Sequence, residues 1–258
     1  MAASVQQERK FKTIKMKFNK FLYYQSYLLF MGFFILALIA FWPSYYSTLT
    51  VVDEPRNHTH GIGMTLWCLL LISQSLLIKF KNYQCHKWAG WASIGLVVYM
   101  LFSTINLLHH LLGGATSISN NGRFFVALVT ISLLAFLITY GLAIINRKKA
   151  FIHGRYMLGT IFPMVTPVSD RIIGRHFAQL AQYAPTIDGR PILPVLGFIM
   201  VDIILIFFII WDFNSHKTKF VFLTILMINL FYQYCALNLY KFSFWEDFCR
   251  AFAQWPLS

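Results

Sequence analysis

Long apolar blocks, each of roughly twenty residues and each ended by charged or turn-forming residues, recur along almost the whole chain. A helix of that length can cross the ~30 Å hydrocarbon core of a bilayer. The pattern therefore predicts an all-α fold, a polytopic transmembrane helix bundle. Its seven predicted spans are at about residues 21–42, 60–78, 88–112, 124–145, 151–173, 193–211 and 220–239.

The fifth predicted span, at about 151–173, contains residues that break helices. Pro163 and Pro167 remove backbone N–H donors from its middle. We predict a kinked helix there. A re-entrant segment is the alternative, and it would move every later element to the opposite side of the membrane.

Composition excludes an ordinary soluble fold. Hydrophobic residues make up 58% of the chain and charged residues 12%, whereas soluble domains average about 45–50% and about 25%. The formal net charge is +13, but the basic residues flank the spans, which indicates lipid and not nucleic acid as their partner. With the N-terminus in the cytoplasm, 15 of the 22 Lys and Arg lie on the cytoplasmic side, in agreement with the positive-inside rule.

Three regions follow from this pattern. Residues 1–20 form a basic, amphipathic N-terminal segment that is expected to bind anionic lipid. Residues 21–240 form the transmembrane bundle, and residues 241–258 form an aromatic tail expected to lie at the membrane interface. The expected location is a bacterial inner membrane, and the four cysteines show neither metal spacing nor a plausible disulfide pair.

Polar residues inside the predicted spans are costly in hydrocarbon and so are expected to face the bundle interior. Asp202 has apolar residues on both flanks, and it can serve as a proton carrier or as a carboxyl that joins helices. A cavity for a proton or a small-molecule ligand is predicted around Gln74, Asn106, Asp202 and Arg171.

Histidines occur in two layers, one at each end of the predicted bundle. At the outer end, His60, His109, His110 and Asp170 are candidates for a transition metal site or a haem site, because imidazoles from separate helices at one depth can ligate either. The alternative is that they cap helices and meet lipid headgroups. At the inner end, a polar ring is predicted from His86, His153, Arg155, Asp212 and His216.

A pair of haems, one in each layer, is excluded by length. His86 and His109 lie on one predicted helix, about 35 Å apart along its axis, which exceeds the thickness of the hydrocarbon core. One outer site is therefore the better redox hypothesis.

Motifs between residues 58 and 216 resemble those of a group of small, uncharacterised bacterial polytopic membrane proteins. The first, of the type H-x-H-G-x-x-M-x-x-W, runs from His58 to Trp67. The second, from Cys85 to Gly90, resembles L-H-R-x-L-G, with Cys85 at the usual leucine and Ala89 at the second apolar position. The third is of the type H-x-R-Y-M-L from His153 to Leu158. No activity is established for that group, so the resemblance implies the fold and the choice of residues but no reaction.

Three functions therefore remain open. The first is redox chemistry at an outer histidine and carboxylate site with a metal or a haem. The second is transport or sensing of a proton or small solute around Asp202, and the third is a non-catalytic assembly or structural subunit.

Overall fold

A computed structural model of the protein describes residues 20–51, 54–212, 218 and 220–256. Most of the predicted basic segment, residues 1–19, lies outside the described residues, as does His216. The described part is all-α apart from one two-stranded hairpin. Its helices are α1 Ser26–Phe41, α2 Pro55–Lys79, α3 Tyr83–Leu112, α4 Asn120–Ile145, α5 Ala150–Gly159, α6 Phe162–His176, α7 Pro194–Asp212, α8 Val221–Asn238 and α9 Ser243–Ala253.

Five of these helices, α2, α3, α4, α7 and α8, are long and apolar enough to cross a membrane. Helix α1 is apolar but has only 16 residues. These helices leave large apolar side chains such as Ile35, Phe102 and Phe207 exposed on their outer surfaces. Contact of such surfaces with water costs free energy, whereas contact with hydrocarbon does not. The fold therefore supports an integral membrane protein.

Capping residues set the helix ends. Glu54 accepts a hydrogen bond from the backbone N–H of Arg56 at the start of α2, which therefore begins before the apolar block does. Asn82 caps α3 through the N–H of Cys85, and Gly113 ends that helix in the left-handed conformation. Ser119 caps α4 in the same way as Asn82 caps α3.

The prediction of a kink in the fifth span is confirmed, and the kink is a break between two helices. Helix α5 ends at Gly159 and α6 begins at Phe162. Pro163 lies in the first turn of α6, where its missing N–H costs nothing, and Pro167 lies inside the helix. The segment thus consists of two short helices that follow one another.

Small residues bring α4, α5 and α8 close together. At Gly159, an added Cβ atom would lie 2.9 Å from Thr139 Cγ2 of α4 and 2.8 Å from Ile225 Cδ1 of α8. Both neighbours are fully buried. The three helices can therefore approach at this level only because residue 159 has no side chain.

Two smaller elements close the end of the bundle at which α2 begins and α3 ends, here called the His60 end. One is the antiparallel hairpin β1 Thr186–Ile187 and β2 Arg190–Pro191, whose turn residues Asp188 and Gly189 both have positive φ. The other is α9, which packs on α3 and α4 through Trp245, Cys249 and Phe252.

The opposite end of the bundle, where α2 ends and α3 begins, is here called the Arg155 end.

Candidate functional site

A cavity of about 670 Å³ lies at the His60 end and is enclosed by α1, α2, α3, α4, α6 and α7. Most of its lining is apolar and aromatic, including Phe33, Phe124 and Phe136. His60, Asp170 and Arg171 add titratable groups to this lining. Its volume lies within the ~300–1,000 Å³ range of small-molecule sites, and such sites share this combination of apolar walls and few polar groups. We call it the His60 cavity.

His60 is held in one tautomer by Thr104. The Thr104 hydroxyl donates its only hydrogen to the Met100 carbonyl at 2.7 Å, so towards the His60 Nδ1 atom, at 3.3 Å, it can only accept. His60 Nδ1 therefore carries the ring proton in the neutral imidazole. Its Nε2 atom is left as a hydrogen-bond acceptor.

Asp170 and Arg171 are neighbours in α6 and add opposite charges to the cavity wall. The Arg171 guanidinium lies over the Phe41 ring, 4.2 Å from its centroid, and one of its nitrogens donates to the Pro167 carbonyl at 3.0 Å. The Pro167 carbonyl and the Phe41 ring thus position the arginine. Within the described part of the chain, the Asp170 carboxylate has no hydrogen-bond partner, so it is available to a donor inside the cavity.

Tyr45 forms part of the cavity wall because residue 61 is glycine. An added Cβ atom at Gly61 would lie 2.3 Å from Tyr45 Cζ, a distance that no side chain could occupy. The Tyr45 hydroxyl also approaches the His58 carbonyl at 3.5 Å. The His58–Gly61 stretch therefore packs the connection between α1 and α2 against the cavity.

The four predicted metal ligands do not come together. His109 and His110 are consecutive in α3 and so point in different directions. The His109 ring packs edge-on against Phe252 of α9 at 5.5 Å, and His110 Nε2 lies 3.1 Å from Glu54 Oε2. Neither histidine lines the cavity with His60 and Asp170. Among the described residues, no three His, Cys, Asp or Glu side chains are placed to hold a metal ion.

His110 instead belongs to a polar cluster at the ends of α2 and α3. Glu54 accepts from the Arg56 guanidinium at 3.1 Å, and Arg56 also donates to the Asn106 side chain at 3.2 Å. Arg56 approaches His110 Nδ1 at 3.3 Å; an arginine only donates, so this ring nitrogen accepts and Nε2 donates to Glu54. The cluster joins the two helices next to the cavity.

This cluster predicts a pH dependence of stability. The hydrogen bond from the Arg56 backbone N–H, followed by the Arg56 side chain and His110, holds the pKa of Glu54 below its ordinary value of 4.5. A lowered folded-state pKa stabilises the protein above pH 4.5, and this contribution disappears as the pH falls through the folded-state pKa. We expect Glu54→Gln to remove this step from a plot of the thermal midpoint against pH.

Arg56→Gln is the matched control, because it retains the backbone donor that is the main cause of the shift. We expect it to keep most of the step. If Glu54→Gln and the original protein lose stability in parallel below pH 4.5, the cluster does not stabilise the fold.

The remaining predicted cavity residues lie elsewhere. Asp202 accepts from the Gln233 side chain at 2.8 Å, which joins α7 to α8. Gln74 donates to the backbone carbonyl of His86 at 3.2 Å, and Asn106 belongs to the Glu54 cluster. Arg171 is the one residue of this predicted group that lines the His60 cavity.

At the Arg155 end, two members of the predicted polar ring form a buried ion pair. Arg155 of α5 donates through Nε and Nη2 to the two carboxylate oxygens of Asp212 in α7, both at 2.9 Å. The Thr218 hydroxyl donates to the same carboxylate at 3.1 Å. His86 and His153 lie together at this end, with ring centroids 6.3 Å apart. The fifth predicted member, His216, is outside the described residues.

Aromatic residues of α1 and of the α1–α2 connection are among the cavity residues that the sequence did not predict. Phe33, Phe41 and Tyr45 all line it. Hydropathy treats α1 as uniformly apolar, so it gives no indication of which face turns inward. No family model, no curated protein and no solved structure matches the chain.

Proposed function

We propose that this integral membrane protein binds a small amphipathic molecule in the His60 cavity. The observation that carries the proposal is a cavity of about 670 Å³ whose walls are mainly aromatic and aliphatic and include His60, Asp170 and Arg171. Apolar walls favour an apolar body by excluding water, and a few fixed polar groups select its head.

The polar groups limit the chemistry of the head. Asp170 and the Nε2 atom of a neutral His60 accept hydrogen bonds, and Arg171 donates them. A head that carries both a donor and an acceptor, such as a hydroxylated or quinol-type ring, satisfies all three. A ligand whose head only accepts hydrogen bonds would leave the Asp170 carboxylate desolvated without a partner.

The cavity mouth favours a ligand that partitions into the bilayer. Leu111 of α3 and Phe125 of α4 line the cavity and are also 59% and 41% exposed. Exposed apolar side chains at an opening admit a molecule from lipid without the cost of transferring it through water.

The proposed topology has seven spans and a cytoplasmic N-terminus, with α5 and α6 counted as one interrupted span. The basic segment at residues 1–20 then meets anionic lipid, and the His60 end faces the outside of a bacterial inner membrane. Membership of the bacterial group with the His58, His86 and His153 motifs is part of the same proposal.

Of the three functions that the sequence leaves open, the redox and transport functions have less support than ligand binding. A metal- or haem-dependent reaction at the His60 end needs ligands that converge, whereas His109 and His110 turn to Phe252 and Glu54. Transport through Asp202 needs a free carboxyl, whereas Asp202 accepts a hydrogen bond from Gln233 outside the cavity.

The test is to fill the cavity. The protein is purified in lipid nanodiscs and its bound small molecules are identified by mass spectrometry of a solvent extract. We expect one amphipathic species in molar proportion to the protein, and at least about tenfold less of it in Ala37→Trp, because the indole would occupy the ligand's volume.

Ala92→Trp is the matched control, since Ala92 is exposed on α3 and does not line the cavity. It should retain the ligand. Asp170→Asn, which preserves shape but removes the charge, should weaken retention without filling the cavity. Equal retention by Ala37→Trp and Ala92→Trp, or no bound species in the original protein, would refute the proposal.

A further inference from the structure

His86, His153 and Gln74 form a second cluster at the Arg155 end, separate from the His60 cavity. His86 is in the first turn of α3, His153 in the first turn of α5 and Gln74 in the last third of α2. The two imidazole rings are 6.3 Å apart and nearly perpendicular. Three helices thus bring two imidazoles and one amide to one place.

Two polar atoms of this cluster are buried without a hydrogen-bond partner among the described residues. They are Gln74 Oε1 and His86 Nδ1. The Gln74 amide cannot be reversed to satisfy its oxygen, because its nitrogen donates to the His86 backbone carbonyl, which only accepts. Buried polar atoms in native folds almost always have a partner, so these two indicate a bound group that both can contact.

His153 is oriented as metal ligands usually are. Its Nδ1 atom lies 2.9 Å from the Ala143 carbonyl and therefore carries the ring proton, which leaves Nε2 with the lone pair. Metal-binding histidines almost always donate their other ring N–H to a carbonyl or carboxylate in this way. The carbonyl fixes the ring and raises the basicity of Nε2.

We propose that His86 Nδ1 and His153 Nε2 bind one Cu⁺ ion, with Gln74 Oε1 as a weak third ligand. Imidazole nitrogens bind copper. With metal–nitrogen bonds of about 2.0–2.1 Å, a tetrahedral angle at the metal places the two ring centroids about 5 Å apart, and a nearly linear angle places them about 6.4 Å apart. The observed 6.3 Å therefore fits the nearly linear coordination that Cu⁺ accepts and not the tetrahedral coordination of Zn²⁺, and three neutral ligands also favour a singly charged ion.

The test uses the full chain in lipid nanodiscs. It is loaded with Cu⁺ under anaerobic reduction or, for comparison, with Zn²⁺ in air, desalted, and analysed for bound metal. We expect one Cu⁺ per protein, much less Zn²⁺, and loss of the Cu⁺ in His86→Leu and in His153→Leu. Gln74→Leu should retain both imidazoles and bind the same metal about tenfold more weakly.

Two controls and a second measurement keep the result decisive. His176→Leu, an exposed histidine at the end of α6, should retain the ion, and so should Cys85→Ser, which removes the neighbouring thiol. The metal should also raise the thermal midpoint of the original protein, a measurement that needs no variant. No retained ion, or retention that disappears only in Cys85→Ser, would overturn the proposal.

Discussion

Replacing Asp212 by alanine is expected to destabilise the protein by about 3–5 kcal/mol, measured by thermal or denaturant unfolding in a fixed detergent. The side chains of Arg155 and Asp212 are only 1% and 2% exposed, and they are joined by two parallel hydrogen bonds. Removing the carboxylate leaves the guanidinium charge buried without its counter-ion. It also removes the acceptor of the Thr218 hydroxyl, so the contact of α5 and α7 with Thr218, just before α8, loosens.

Asp247→Ala is the matched control, because it also removes a carboxylate paired with an arginine. Asp247 and Arg250 are 67% and 46% exposed in α9, and exposed pairs contribute at most about 1 kcal/mol. The double change Arg155→Met with Asp212→Leu should recover most of the loss, since apolar residues of similar volume can replace a buried pair. If Asp212→Ala costs no more than Asp247→Ala, the buried pair does not hold the Arg155 end together.

Much of the fold could be predicted because hydrocarbon leaves a strong pattern in the sequence. The ends of α7, Pro194 and Asp212, lie within one residue of the predicted span, and the interruption at 160–161 follows from Pro163 and Pro167. Helix α2 was predicted to begin later, at residue 60. Hydropathy does not detect a polar first turn, whereas the Glu54–Pro55 pair is a capping signal that could have placed the start.

The hairpin at 186–191 was missed for a similar reason. It lies in the connection between the predicted fifth and sixth spans, whose low hydropathy indicates only a polar connection. Asp188-Gly189 is the dipeptide that a tight hairpin turn prefers, since both residues adopt positive φ. Pro191 and Ile192, at the end of the hairpin, line the His60 cavity.

The candidate site could be predicted only in part. Hydropathy indicates how deep a residue lies in the membrane, but it does not indicate to which side of its helix the side chain points. His60, His109, His110 and Asp170 were grouped because they lie near one end of their helices. Rotation about the helix axis then separates them: His60 and Asp170 line the cavity, His110 meets Glu54, and His109 meets Phe252. Arg155 and Asp212 were also placed in one polar ring because of their depth, and these two side chains do contact each other directly.

Trp67→Ala should produce a second large loss, of about 3–5 kcal/mol, for a purely apolar reason. Trp67 of α2 is fully buried and packs edge-on against Phe136 and Tyr140 of α4, with ring centroids 5.0 Å and 5.6 Å away. The alanine leaves a cavity between two helices that cannot collapse. Trp88→Ala is the control of identical chemistry, because Trp88 is 70% exposed, and it should change the free energy of unfolding little.

Trp67→Phe separates packing from hydrogen bonding at the same position. The Trp67 Nε1 atom is buried and has no hydrogen-bond partner among the described residues, so this N–H destabilises the folded state. Phenylalanine keeps most of the ring contacts and removes that N–H. We therefore expect Trp67→Phe to cost much less than Trp67→Ala in the same unfolding measurement. Equal losses for the two variants would instead show that the indole nitrogen forms a bond that stabilises the core.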